Sequence, residues 1–292
     1  MSVDVLQDKI RKCKNPSVVD LSLNVSDLPP HLLTQEQTPA NAYGRFCREL
    51  LDQLKGTVPA VRFGFAAFSV LGHEGLQLLT DMLQKAKNLG YYVILEAPYL
   101  LSPMMAKGVA EAVFGEKGIY PCDGLILGTY PGSDVVKPFL PYVKEGKKDL
   151  FCVVRTSNKS APEIQDLLTG SRLVHLVAAD QINRFGAELT GKFGYARVGI
   201  MAGANSADSL KNLRTKYPRL FVLVDDMDYS GCNAKICSFA FDKFGHGAAV
   251  CAGPTVTMAW QTAETDGTDY LEQAVAAAER MKKNLTRYTT IL

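Results

Sequence analysis

The chain alternates eight short apolar runs with stretches of helical periodicity, and few folds accommodate that order. The runs cover residues 17–23, 60–68, 91–96, 122–128, 149–155, 196–201, 220–224 and 247–252. Apolar residues recur at three- and four-residue spacing between them, as in Tyr43, Phe46, Leu50, Leu51 and Leu54. Strands alternating with helices give a parallel sheet, because each crossover needs a helix to return the chain. Eight repeats predict a closed (β/α)8 TIM barrel, with one barrel domain over residues 1–292. An open doubly wound sheet would need a glycine-rich phosphate turn after its first strand, and Ser22-Leu23-Asn24 is not one.

The predicted helices cover 42–55, 74–89, 102–114, 134–144, 173–192, 206–217, 233–244 and 269–288, after a lead-in helix within 1–15. Gly90 reads as a helix C-cap, Ser206 as an N-cap, and 24–40, rich in proline, as an irregular connection. The third run organises the chemistry. Tyr91-Tyr92-Val93-Ile94-Leu95-Glu96 is a fully buried strand that ends by delivering one carboxylate, and Pro98 stops it. In a barrel of this kind that edge carries the site.

Composition removes several classes of function. A formal net charge of +2 with no Lys/Arg-rich run argues against nucleic-acid binding. No window of about 18 apolar residues predicts a membrane span. The 7 cysteines are scattered without a CxxC pair, which suits buried thiols in a reducing cytoplasm. Cys232 and Cys237 lack nearby partners for zinc. Glu96 with Asp226 and Asp228 could gather a divalent cation, but their spacing fits no calcium loop, so no metal is expected. His73, His175 and His246 form no Ser–His–acid pattern.

At the fifth run the sequence becomes specific. Phe151-Cys152-Val153-Val154-Arg155-Thr156-Ser157-Asn158, followed by Glu163-Ile164-Gln165-Asp166-Leu167, resembles orotidine 5′-phosphate decarboxylase of the second bacterial type. Leu71-Gly72-His73-Glu74-Gly75-Leu76, Tyr130-Pro131-Gly132-Ser133-Asp134 and Val198-Gly199-Ile200-Met201-Ala202-Gly203-Ala204 extend the likeness in order along the chain. The resemblance implies a barrel, usually dimeric, that converts orotidine monophosphate to uridine monophosphate without a cofactor. It implies a lysine that protonates the ring carbanion from an Asp-x-Lys-x-x-Asp array after the third strand.

The matching positions here read Glu96, Pro98 and Leu101. The second-strand Lys is Arg62, the first-strand Asp is Ser22, and the phosphate-holding Arg after the eighth strand is Pro254. A glycine-rich turn carrying Gln is replaced by Asp225-Asp226-Met227-Asp228-Tyr229-Ser230-Gly231. Only Thr156-Ser157-Asn158, whose Ser touches the pyrimidine in the family, stands intact. The resemblance therefore implies a diverged decarboxylase-like protein with little or no decarboxylase activity. Its alternatives are an active enzyme with relocated groups and a non-enzymatic partner subunit.

Glu96 and Arg62 are the candidate catalytic residues, read either as a structural ion pair or as a pair that orients a ligand. Proline has no proton to give, Arg62 stays protonated, and Lys107 would have to turn inward. Thr156, Ser157, Asn158, Asp226, Asp228 and Tyr229 are the candidate ligand-binding residues. The three aspartates face the site or point into solvent; if inward, each repels phosphate by about 1 kcal/mol in water at 4 Å and by several in a shielded site. The expected partners are a pyrimidine nucleotide or other small molecule and a second copy of the chain.

Overall fold

The computed structural model describes residues 3–97, 100, 102–228 and 232–292. Eight parallel strands close on themselves: β1 (Ser17–Asp20), β2 (Ala60–Gly64), β3 (Tyr92–Glu96), β4 (Gly124–Gly128), β5 (Asp149–Arg155), β6 (Ala196–Gly203), β7 (Leu220–Asp225) and β8 (Ala248–Ala252). They follow chain order around the barrel, and closure is made by β1 pairing with β8, where Val18 lies opposite Cys251. The (β/α)8 barrel is the architecture that the alternating runs require.

Two cores result. Between strands and surrounding helices, one face of each strand meets apolar stripes of α2 (Pro39–Gln53), α3 (Gly72–Leu89), α4 (Pro103–Phe114), α5 (Val174–Gly186), α6 (Ala207–Lys216) and α7 (Tyr270–Thr286). Inside the barrel the other face supplies Val18, Ala60, Tyr92, Ile94, Phe151, Phe221 and Leu223. The lead-in helix α1 (Val3–Cys13) joins this inner core through Val3, Leu6 and Ile10, which closes the N-terminal end of the barrel. Its Asp4 accepts the backbone N–H groups of Lys192 and Phe193 at 3.0 and 3.2 Å.

Because successive strand residues face opposite sides, the interior row Val18–Asp20, Ala60–Arg62, Ile94–Glu96 and Leu223–Asp225 changes from apolar to charged toward the C-terminal edge. The polar ends of these strands are thus gathered in one layer above a sealed apolar floor.

Several expected boundaries differ. The first strand stops at Asp20, not Leu23, since the Asp20 carboxylate accepts the Ser22 N–H at 2.9 Å and turns the chain. The connection 24–40 contains a helix, Pro30–Gln35, begun by Pro30 at its first position. The helix expected over 173–192 ends at Gly186, whose backbone lies against Ala196 and Val198 of β6, and Thr190 then bridges to Ala196. The helix expected over 233–244 is only Ala234–Cys237 with a 3-10 turn to Ala240; Asp242 then binds the N–H groups of Phe244 and His246 and reverses the chain. Pro98, Leu101 and Tyr229 lie outside the described residues. Among the described residues no helix is long and apolar enough to cross a membrane.

Candidate active site

The C-terminal layer is built around Arg62. Its side chain is 11% exposed and meets three carboxylates: Asp225 Oδ1 at 2.5 Å from Nη1, Glu96 Oε2 on Nη2, and Asp20 Oδ2 at 3.3 Å from Nε. Strand register explains the convergence. Arg62 lies directly opposite Asp20 on β1, and Glu96 lies opposite Gly64, two residues on along β2. Gly64 carries no Cβ, and one placed there would stand 2.7 Å from Ser22 Oγ. That space admits the Ser22 hydroxyl, which accepts the Gly64 N–H at 2.6 Å and donates to Asp20 at 2.5 Å.

Burial acts against the charged guanidinium, yet Asp20, Asp225 and Glu96 outweigh it and hold the pKa of Arg62 above its ordinary value. It is a fixed cation that gives up no proton. Asp20 moves the other way: burial prevails over the nearby guanidinium, and its pKa is pushed up to about 6.

The loop after β7 turns at Asp226, a non-glycine residue with φ of +58°. This left-handed turn, which Asp tolerates better than most residues, leaves Asp226 and Asp228 lining one cavity with Asp225. Asp226 accepts the Ser157 hydroxyl at 3.2 Å. Its carboxyl is raised by burial and by Asp225 and Asp228. Asp228 accepts two backbone N–H groups, Gly253 at 2.6 Å and Thr255 at 2.7 Å, just beyond β8. Backbone amides at this corner are what a barrel of this kind commonly offers to phosphate. Here the protein's own carboxylate takes them.

The predicted motif residues separate into two groups. Ser157 is buried and reaches the acidic layer through Asp226. Thr156 lines a neighbouring cavity and is locked to Gln165, whose side-chain oxygen accepts the Thr156 N–H at 2.7 Å. Asn158 is exposed, donates to Ser160 Oγ at 2.9 Å, and lines none of the cavities at this end. The loop behind them is tied down by Arg155, which grips Asp166 with two bonds of 3.0 and 2.9 Å and donates to Asn205 at 2.6 Å. Buried His175 adds its Nδ1 to Gln165 O and Asp166 Oδ1. Burial lowers its pKa, so it is a neutral strut.

Three cavities meet at this end. The largest, about 760 Å³, lies over β3, β4 and β5 with Glu96 in its wall. One of about 240 Å³ is walled by Asp20, Arg62, Asp225, Asp226 and Asp228, and one of about 380 Å³ lies between Ser22, Asp27 and Pro254. Arg62 is the one basic side chain lining any of them among the described residues. No group of three His, Cys, Asp or Glu side chains is placed to hold a metal among those residues.

Sequence reading missed Asp20 and Gln165. Asp20 had a signal: a lone acid two residues after Val18, on the inner face of an otherwise apolar strand.

The fold is a closed (β/α)8 barrel with a charged layer at the C-terminal ends of its strands. No protein-family model matches the chain. Along nearly its whole length it is similar to orotidine 5′-phosphate decarboxylases. The orotidine 5′-phosphate decarboxylase of Clostridium novyi (strain NT) is 25% identical over 286 residues, 98% of each chain. Among solved structures, the Leishmania donovani OMP decarboxylase superposes with a TM-score of 0.74 at 22% identity, covering 99% of both chains. Leishmania donovani UMP synthase gives a TM-score of 0.77 at 22% identity over 98% of this chain, which spans 56% of that longer one.

Proposed function

We propose that this chain is a diverged orotidine 5′-phosphate decarboxylase homologue, one barrel over residues 1–292, that binds a small molecule at its strand ends without decarboxylating orotidine monophosphate. One observation carries the reading. Arg62, the one basic side chain that lines the mouth among the described residues, is already paired with three carboxylates. A nucleotide monophosphate brings nearly two further negative charges to a layer where anions already outnumber cations. It would find the β8 amides held by Asp228.

Protonation of a ring carbanion adds a second objection. Arg62 cannot give its proton at working pH, and loss of a positioned general acid costs about 10²–10⁴ in rate. The seven unpaired cysteines suit a reducing compartment, and we place the protein in the cytoplasm.

An assay of uridine monophosphate formation from orotidine monophosphate tests this. The expected result is no turnover above background; turnover at ordinary enzyme rates, about 1 s⁻¹ or faster, would refute it. One observation favours a second reading, an active enzyme with relocated groups: Asp20, with its pKa of about 6, is an acid able to exchange a proton near neutrality. In that case Asp20→Asn abolishes a measurable turnover.

A further inference from the structure

The largest cavity is chemically unlike the acidic layer beside it. Its wall is mainly apolar and includes Ile126, Val153, Ile164 and the rings of Phe65 and Tyr130. A volume of about 760 Å³ lies within the range of about 300–1,000 Å³ usual for small-molecule sites. The wall is anchored as well as apolar. Tyr130 donates its hydroxyl to Val154 O at 2.7 Å, and the Ile164–Gln165 segment hangs from the Arg155–Asp166–His175 brace. Ile164 is 64% exposed, an apolar side chain standing at the rim with little to cover it.

The cavity has one ionised group, Glu96, whose side chain is 43% exposed. Its Oε2 lies on Arg62, while Oε1 accepts no hydrogen bond from a described residue. A ligand that fills the cavity against Glu96, which also borders the neighbouring cavity of about 380 Å³, displaces water from its half-exposed carboxylate. Removing water from an anion is costly unless a donor replaces it. Arg62 already neutralises three acids, and no other cation lines the cavity among the described residues. An anionic ligand would add repulsion to desolvation. A neutral apolar ligand would leave the oxygen unmatched. An ammonium group supplies donors and opposite charge together.

We propose that this cavity binds a small organic amine, with its apolar or aromatic body against Ile126, Val153 and Ile164 and its ammonium on Glu96. The inference rests on the reading above that the barrel mouth is not a nucleotide phosphate site.

The test is titration calorimetry at pH 7.5 of the full chain with three probes of one ring system: tryptamine, indole and indole-3-acetate. Tryptamine is expected to bind at least tenfold more tightly than either of the others. Glu96→Gln is expected to weaken tryptamine at least tenfold and to strengthen indole-3-acetate, since the repelling charge is gone. Should Glu96→Gln fail to fold, Ile164→Arg decides, because an exposed rim position tolerates substitution. Its guanidinium is expected to reverse the preference in favour of indole-3-acetate. Equal affinities for the three probes, no tryptamine heat at millimolar concentration, or variants that leave the ranking unchanged would each overturn the proposal. Uridine monophosphate formation sinks the previous section's reading whatever the amine result. Absence of both turnover and tryptamine binding sinks only this one.

Discussion

A guanidinium buried among three carboxylates is costly to dismantle one side at a time. Breaking a buried ion pair by removing one partner leaves uncompensated charge and typically costs about 3–5 kcal/mol. Arg62→Met, which keeps much of the aliphatic stem, strands Asp20, Glu96 and Asp225 together. We expect a loss of about that size in urea unfolding at pH 7, smaller at pH 5, where Asp20 takes up a proton. A loss below about 1 kcal/mol, the worth of an exposed pair, would mean that water already solvates the cluster.

Asp20 gives a test with a definite sign. Its folded pKa, about 6, lies above its ordinary 3.8. Between those values the folded protein holds the proton more tightly than the unfolded chain, so this group's contribution to stability falls as pH rises from about 4 to about 6. A two-unit displacement is worth on the order of 3 kcal/mol. Asp20→Asn keeps the shape and cannot ionise. The stability of Asp20→Asn minus that of the parent should therefore rise between pH 4 and pH 7. Taking the difference cancels acids such as Asp166, which hydrogen bonding to Arg155 shifts the opposite way. A flat difference would show that Asp20 titrates normally.

At the scale of elements, the strands were the legible part. Each of the eight runs contains a barrel strand, because a strand buried on both faces is mostly apolar, although the second run leaves the sheet at Gly64 and continues as a short helix, Phe65–Ser69. Helices 42–55, 74–89 and 269–288 were likewise readable from period and caps. The ends of 173–192 and 233–244 were not, since they are decided by Gly186 against β6 and by the Asp242 turn, both contacts between residues distant in sequence or in irregular loops. The site divides the same way. Glu96 is legible as a carboxylate that ends an apolar strand, and Arg62 as the residue that stands in place of the second-strand Lys in the resemblance. Asp228 on the β8 amides depends on a loop conformation that no period encodes.

Packing between strands has its own test. Gly199 on β6 stands where an added Cβ would meet Phe221 O of β7 at 2.5 Å. The obstacle is backbone in the middle of a closed sheet and cannot swing aside. Gly199→Ala is expected to lower stability by about 1–3 kcal/mol, the usual cost of overpacking, measured by thermal unfolding. An unchanged melting temperature would mean that the barrel opens locally without strain.

For the molecule as a whole, net charge is misleading: the formal value is +2, yet the mouth gathers Asp20, Glu96, Asp225, Asp226 and Asp228 around one arginine. Ligand-induced stabilisation reports that local field directly, because a ligand that binds only the folded state adds RT ln(1 + [L]/Kd). At 1 mM, a ligand with a Kd of about 10 μM adds about 2.7 kcal/mol, while one with a Kd of about 10 mM or weaker adds less than about 0.1 kcal/mol. For a chain of this size 1 kcal/mol moves the melting temperature by roughly 2 °C. Uridine monophosphate at 1 mM should thus shift the melting temperature by less than about 1 °C, and the shift should stay that small when salt is varied. A rise of about 5 °C, the response of a micromolar nucleotide site, would require cations that the described mouth does not hold. Raising salt would diagnose such an error, since screening weakens attraction and repulsion alike. A shift that grows with salt marks a repelled nucleotide seated by other contacts, and one that shrinks marks a phosphate site with its own basic partners.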